Sequence, residues 1–246
     1  MFIIYKHMII NNDSFEYLKK IENNSIDLIL TDPPYLISKE SNFKNYSESS
    51  SHLMKTKYGN HKIDFGDWDK DSLDVNLLMK EFHRILRKGG TLIVFFDIWK
   101  SSIIKESAQL HKFKQPRIGI WLKNNAVPIN SNINYLSNAH EFFFTFIKDK
   151  NPTFNSKYDN GVYNFPLCHG KERLEHPTQK PLKLFEELIK KHSNEGDLVL
   201  DPFSGSGTTA EACINLNRKY ICIEKNLEYF NLSLERIKNL SFQTTN

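Results

Sequence analysis

Short apolar runs of strand length alternate along this chain with stretches of helical periodicity, and that alternation limits the architecture more than any other feature. Ile26–Leu30, Thr91–Phe96, Leu198–Leu200 and Tyr220–Ile223 are brief, nearly all apolar and bounded by turn residues, as strands buried on both faces are. Between them, Asp71–Leu86 sets Leu73, Leu77, Leu78, Phe82 and Ile85 on one helical face and runs into Lys88-Gly89-Gly90, a stop signal. Pro181–His192 starts with proline and turns Leu184, Phe185, Leu188 and Ile189 inward, and Leu227–Leu240 closes the chain in the same pattern. This rhythm predicts an α/β fold: a mostly parallel sheet with helices on both faces.

At 246 residues the chain allows one large α/β domain or two small ones. No apolar run reaches membrane-spanning length, and the first residues lack a signal-peptide layout. Cys168, Cys213 and Cys222 show neither paired nor metal-like spacing, and the nine His form no ligand constellation, so a reduced cytoplasmic protein without a metal is expected. A formal net charge of +4 permits a polyanionic partner without requiring one. Only six of the 33 basic residues are Arg, and Lys serves phosphate better than it reads bases. Two segments break the rhythm: residues 36–70, rich in Ser, Asn and Lys, and residues 149–175, rich in Asn, Lys, Pro and Gly. Loops this long in a compact domain are commonly functional or disordered.

The first segment able to carry chemistry is Asp32-Pro33-Pro34-Tyr35, directly after the strand Ile26–Leu30. Two prolines remove two N–H donors and hold the chain extended, leaving a carboxylate, exposed carbonyls and an aromatic face. That acceptor-rich set suits an N–H₂ group on a flat ring. Asp32 and the Pro33 carbonyl would each take one amino hydrogen while Tyr35 stacks on the ring. Two acceptors out of the ring plane draw the nitrogen toward tetrahedral geometry and free its lone pair, which is electrostatic preorganisation without a covalent intermediate. A proline turn with a capping Asp is the competing reading.

The second segment is Asp197–Thr209, a strand that runs through Asp201, Phe203, Gly205, Ser206, Gly207 and Thr208 into a helix. Strand, tight glycine turn and helix start make the layout of a nucleotide-type cofactor site. It is not a P-loop, since no Gly-Lys-Ser/Thr follows, and the third glycine of a dinucleotide fingerprint is absent. The next strand ends in Glu224, at about the separation expected of a carboxylate that holds ribose hydroxyls.

Taken together, Asp32–Tyr35 followed much later by Asp201–Thr209 resembles the circularly permuted β class of DNA amino-methyltransferases of restriction–modification systems, the N6-adenine/N4-cytosine family. The resemblance covers most of the chain. It extends to Asn12-Asp13-Ser14, to Ile63–Asp69 at the end of that family's mobile loop, to Trp121–Pro128 with His140-Glu141, and to His176–Pro181. It implies a single catalytic domain of Rossmann-like S-adenosylmethionine-dependent methyltransferase fold over residues 1–246, with a mobile insertion at 36–70 and a small target-recognition segment at 149–175. It also implies S-adenosylmethionine held by Asp13 near the adenine, by Asp32, by Phe203, Gly205, Ser206, Gly207, Thr208 and Glu224 around Asp201, and by Thr178 and Lys180 at the methionine end.

The expected activity is site-specific methylation of the exocyclic N6 of adenine in DNA, on a base that is flipped out or single-stranded. Aspartate at position 32 favours adenine over cytosine N4 by the resemblance alone. RNA adenine or a protein amide are other acceptors for such a tetrapeptide. An inactive DNA-binding partner subunit and a nicotinamide-dependent oxidoreductase are readings from other classes. Lysines and aromatics interleaved in 36–70, and the basic residues near 149–175, suit phosphate contact and base stacking, with Arg173 and Arg117 as the first base-reading candidates. A homodimer and a cognate restriction endonuclease are compatible partners; a membrane is not expected.

Overall fold

Among the described residues, eight strands hydrogen-bond into one sheet in the order β1-β8-β7-β2-β3-β5-β4-β6. They are β1 (His7–Asn11), β2 (Ile26–Thr31), β3 (Leu86–Phe96), β4 (Phe113–Lys123), β5 (His140–Lys148), β6 (Val162–Phe165), β7 (Leu198–Asp201) and β8 (Lys219–Glu224). Every adjacent pair is parallel except those made by β5, which runs against β3 and β4. The computed structural model describes residues 7–34, 73–126 and 137–243. By contacts the chain divides into two compact units, Met1–Pro33 with Val75–Asn246, and Pro34–Asp74. Tyr35 and residues 36–70, with the Ile63–Asp69 motif, lie outside the described residues.

Six α-helices are present among the described residues: α1 (Ser14–Leu18), α2 (Val75–Ile85), α3 (Ser101–Leu110), α4 (Leu182–His192), α5 (Thr208–Asn215) and α6 (Leu227–Gln243). None is long and apolar enough to cross a membrane. In α4 the expected Leu184, Phe185, Leu188 and Ile189 are the buried residues, and Phe185 stacks on Phe95 of β3 with ring centroids 5.9 Å apart. The inner face of α5 is small instead, with Ala210, Ala212 and Cys213 fully buried, which lets α4 and α5 lie together. β2, β3 and β7 form the apolar centre; Leu28, Ile29, Leu30, Leu92, Ile93, Val199 and Leu200 are all 0% exposed.

Two boundaries differ from the periodicity. The helix α2 stops at Ile85 and β3 begins at Leu86, so Lys88-Gly89-Gly90 lies inside a strand rather than after a helix. The register of β2 against β3 shifts between Ile26 and Leu28, and Gly89 takes φ +74 in that irregularity, the conformation a helix stop would also demand. β4 is interrupted in the sequence by Pro116 and Gly119. Pro116 is accommodated by a register shift between Lys114 and Arg117. Gly119 leaves room for the Phe143 ring of β5, which a Cβ would meet at 2.0 Å.

The connections fix where a ligand can sit. From β2 the chain crosses through α2 to β3 on one side, whereas from β7 it crosses through α5 to β8 on the other. β2 and β7 are parallel neighbours, with Leu28 opposite Val199 and Ile29 opposite Leu200. Their carboxyl ends therefore flank the switch point of the sheet, the crevice where α/β sheets bind ligands. Asp32 follows one strand and Asp201 ends the other.

Candidate active site and cofactor loop

At the switch point the Thr31 hydroxyl donates to Asp201 Oδ1 at 2.9 Å, tying the end of β2 to the end of β7. Asp201 is 3% exposed and also accepts the Phe203 N–H at 3.1 Å and the Thr209 hydroxyl. Burial pushes its carboxyl up to about 6, against the pull of Thr209, Thr31 and Phe203, with Asp32 nearby adding to the rise. Asp201 thus closes the glycine turn over itself and sets that turn beside Asp32.

Loop residues 202–207 fold with Gly205 at φ +50 and Gly207 at φ +79. Both need glycine for the protein's own packing: a Cβ at Gly205 would lie 2.7 Å from His176 Nε2, and one at Gly207 2.8 Å from Ser233 Cβ. His176 rests over the loop, tilted against Tyr229 with centroids 4.4 Å apart, and its imidazole is lowered to about 4 by burial and then by Lys180 and Arg173. It is neutral at physiological pH. Glu224 ends β8 with Oε2 accepting the Gly205 N–H at 2.8 Å and Oε1 the Asn226 N–H at 2.8 Å. Burial raises its carboxyl, while the N–H donors of Asn226, Gly205 and Lys225 hold it back.

From behind, Arg236 of α6 pairs with Glu211 and donates to Thr208 Oγ1 at 3.0 Å and to the Ser206 carbonyl at 3.4 Å. Ser206 and Thr208 are buried by this clamp, and Phe203 is half-buried. Arg236 carried no signal beyond a polar position on a helical pattern. Substituting Gly205 by Ala is expected to destabilise the fold by about 2 kcal/mol, part strain and part collision with His176. Urea unfolding in a His176→Ala background should recover the collision part alone; an undiminished cost there would contradict that account.

The residues around the loop fit an adenosine cofactor with a charged tail. The Ser204 hydroxyl and His176 Nδ1 are buried polar atoms making no hydrogen bond among the described residues. Gly207 starts α5 without a side-chain cap, and Glu224 has lone pairs beyond the two it uses. Asp13 caps α1, its Oδ1 accepting Phe15 N–H at 2.9 Å and Glu16 N–H at 3.3 Å, while Oδ2 pairs with Lys225 at 3.1 Å. Ser14 donates to the Pro202 carbonyl, so α1 borders the loop.

Asp32 does not stand alone. Its Oδ2 pairs with Lys180, whose ammonium also lies 3.1 Å from Glu141 Oε2, and Glu141 Oε1 pairs with Lys123 at 2.8 Å. Lys180 is buried; desolvation would lower its ammonium, but Asp32 and Glu141 outweigh it and hold it well above the ordinary lysine range. Glu141 is likewise driven up by burial and brought below its ordinary value by Lys180 and Lys123. The resemblance implies Lys180 at the methionine end of the cofactor and includes His140-Glu141 without a role; the fold puts Lys180 on Asp32 and Glu141 on Lys180. Thr178 is exposed in the preceding turn. Pro33 and Pro34 follow Asp32 without regular structure.

Residues 149–175 divide between the two ends of the sheet. Thr153 bonds Gly89 and Arg87 at the start of β3, and Asn155 bonds the Lys190 and Ser193 carbonyls at the end of α4. β6 then returns alongside β4, and only the chain after Phe165 lies at the end where Asp32 sits.

A family model described as DNA methylase matches residues 26–235. The type II methyltransferase M.HinfI of Haemophilus influenzae is 31% identical over 96% of this chain and 69% of its own length. The DNA adenine methyltransferase YhdJ of Escherichia coli (strain K12) is 31% identical over 93% of this chain and 82% of its own. The crystal structure of an M1.HpyAVI–SAM complex superposes with a TM-score of 0.70 at 29% identity, covering 94% of this chain and 98% of that one.

Proposed function

This chain belongs to the N6/N4 DNA methylase family, and from that membership we propose that it transfers a methyl group from S-adenosylmethionine to the exocyclic N6 of adenine in DNA. The observation that carries the reading is the Thr31–Asp201 bond at the switch point, which places Asp32 and the glycine turn at adjoining strand ends. The relative named as a DNA adenine methyltransferase supports the base.

S-adenosylmethionine supplies the methyl group on a positively charged sulfonium, which leaves as a neutral thioether without acid catalysis. The chain's own task is to position and polarise the amine. Asp32 is the catalytic residue: its carboxylate accepts one N6 hydrogen and the Pro33 carbonyl the other, with Pro34 holding the turn and Tyr35 stacking on the ring. As the nitrogen gains the methyl group it sheds a proton, which Asp32 is placed to receive. Phe203, Gly205, Ser206, Gly207 and Thr208 line the cofactor turn, Glu224 takes the ribose hydroxyls and Asp13 borders the adenine. Asp201 shapes the turn from inside. An adenine in a duplex must leave the stack to reach this crevice. Leu167–Gln179 forms the described part of the DNA-facing rim, and Arg173, exposed with its guanidinium donating to the Pro177 carbonyl at 3.2 Å, is its base-reading candidate. Three buried free cysteines suit a reducing cytoplasm.

Tritiated methyl transfer to DNA followed by nucleoside analysis tests this reading, with N6-methyladenine as the expected product. N4-methylcytosine would overturn the base, and thermal stabilisation by NAD but not by S-adenosylmethionine would overturn the chemistry.

A further inference from the structure

The four charges at the ends of β2, β4, β5 and the turn before α4 alternate in sign: Asp32, Lys180, Glu141, Lys123. Their side chains are 16%, 4%, 23% and 9% exposed, so the row is largely withdrawn from water. β4 and β5 bring the far half together: Trp121 pairs with Glu141 and Leu122 with His140, which sets Lys123 beside Glu141. Aromatic faces close the row, with Lys180 Nζ 5.3 Å from the Phe95 ring centroid and Lys123 Nζ 5.2 Å from that of Trp121.

We propose that Glu141, set by Lys123, is a positioning residue for methyl transfer that acts through Lys180 on the catalytic Asp32. The inference rests on the methyltransferase reading above. A lysine paired wholly with Asp32 would occupy the carboxylate that must accept the substrate amine and would weaken it as an acceptor. Glu141 takes a share of that ammonium, so Asp32 keeps its orientation and its negative character toward the base. Lys123 in turn limits how far Glu141 draws Lys180 away. The fold thereby tunes one carboxylate with three residues that need not touch the substrate.

Among the described residues, Lys180 from the turn before α4 and Asp201 from β7 interact with Asp32, Glu141 from β5 and Lys123 from β4 extend the row from Lys180, and His176, neutral, faces Lys180. Removing the Glu141 charge leaves the Lys180 ammonium drawn more fully onto Asp32 and strengthens its hold on that carboxylate. Removing the Lys123 charge does the opposite. The test is kcat against pH for the full chain, with saturating DNA and S-adenosylmethionine, in Glu141→Gln and Lys123→Met. Glu141→Gln is expected to lower kcat by about tenfold while the KM for DNA and the Kd for S-adenosylmethionine stay within about twofold. The acid limb of its profile should move to lower pH, and that of Lys123→Met to higher pH.

Opposite displacements support the proposal, and so does Glu141→Asp recovering more activity than Glu141→Gln. An unchanged kcat in Glu141→Gln overturns it. So does a fall in kcat with no limb movement, or movement in the same direction in both variants, either of which marks a packing defect. If one variant fails to fold, the sign of the other's shift still decides. Absence of any transfer by the wild-type chain would instead sink the methyltransferase reading.

Discussion

Replacing Asp32 by alanine is expected to lower methyl transfer to DNA by about 10³-fold, on the scale of removing a preorganised polar group from a transition state. Binding of S-adenosylmethionine, read by thermal shift or calorimetry, should survive, because the glycine turn is held by Asp201, Glu224 and Arg236 rather than by Asp32. The expected stability cost is moderate: Lys180 loses one counter-charge but keeps Glu141, so the buried ammonium is not abandoned. Asp32→Asn separates charge from shape. It keeps one acceptor oxygen and nearly the same volume, yet its amide aims a donor at an amine whose own hydrogens need acceptors. Transfer by Asp32→Asn near the wild-type level, on single-turnover methylation, would mean that the negative charge contributes nothing and that positioning by the turn suffices.

The two segments that carry this chemistry were legible because each is written locally. An apolar strand runs into Asp32-Pro33-Pro34, and another runs into the turn at Gly205 and Gly207. The helix α4 was equally clear, since its burial repeats with the helical period. The edge beyond β3 was harder to read. Pro116 and Gly119 look like breaks until a register shift and the Phe143 ring explain them, so β4 could be reached only through the family resemblance. The start of β3 was mistaken for a helix stop because Gly89 has a positive φ for a different reason.

The charged row was the least accessible feature. Lys123 and Glu141 meet through antiparallel pairing, and Lys180 arrives from a turn that precedes α4. No spacing in the sequence announces that contact. Glu141 therefore carries no role in the sequence beyond its place in the family resemblance. The same distance in sequence hid the second task of Asp201. Placed in the cofactor turn by its position, it also binds Thr31 on β2 and fixes the turn against the catalytic strand.

Asp201 carries the second large effect, and it should depend on pH with a definite sign. Its carboxyl is raised to about 6 from an ordinary 3.8, so folding favours the protonated form. The corresponding stability is fully present below the unfolded value and is lost as pH rises through the folded one, a difference of about 3 kcal/mol. Asp201→Asn imitates the protonated acid. Its oxygen can still accept from Thr31 and Phe203, while its amide meets the Thr209 hydroxyl, which can turn to accept. The stability of Asp201→Asn relative to wild type should therefore rise between pH 4 and pH 7 by about 2 kcal/mol, most of that difference. Acid denaturation arising elsewhere acts on both proteins and cancels in that difference. Asp201→Ala strands the two hydroxyls and the Phe203 N–H and opens a cavity under the turn, so at pH 7 it should lose about 3 kcal/mol where Asn gains. Urea titrations of the three proteins across that range measure both signs. A difference between Asn and wild type that does not change with pH would place the Asp201 carboxylate in a far wetter setting than the Thr31–Asp201–Thr209 clamp provides.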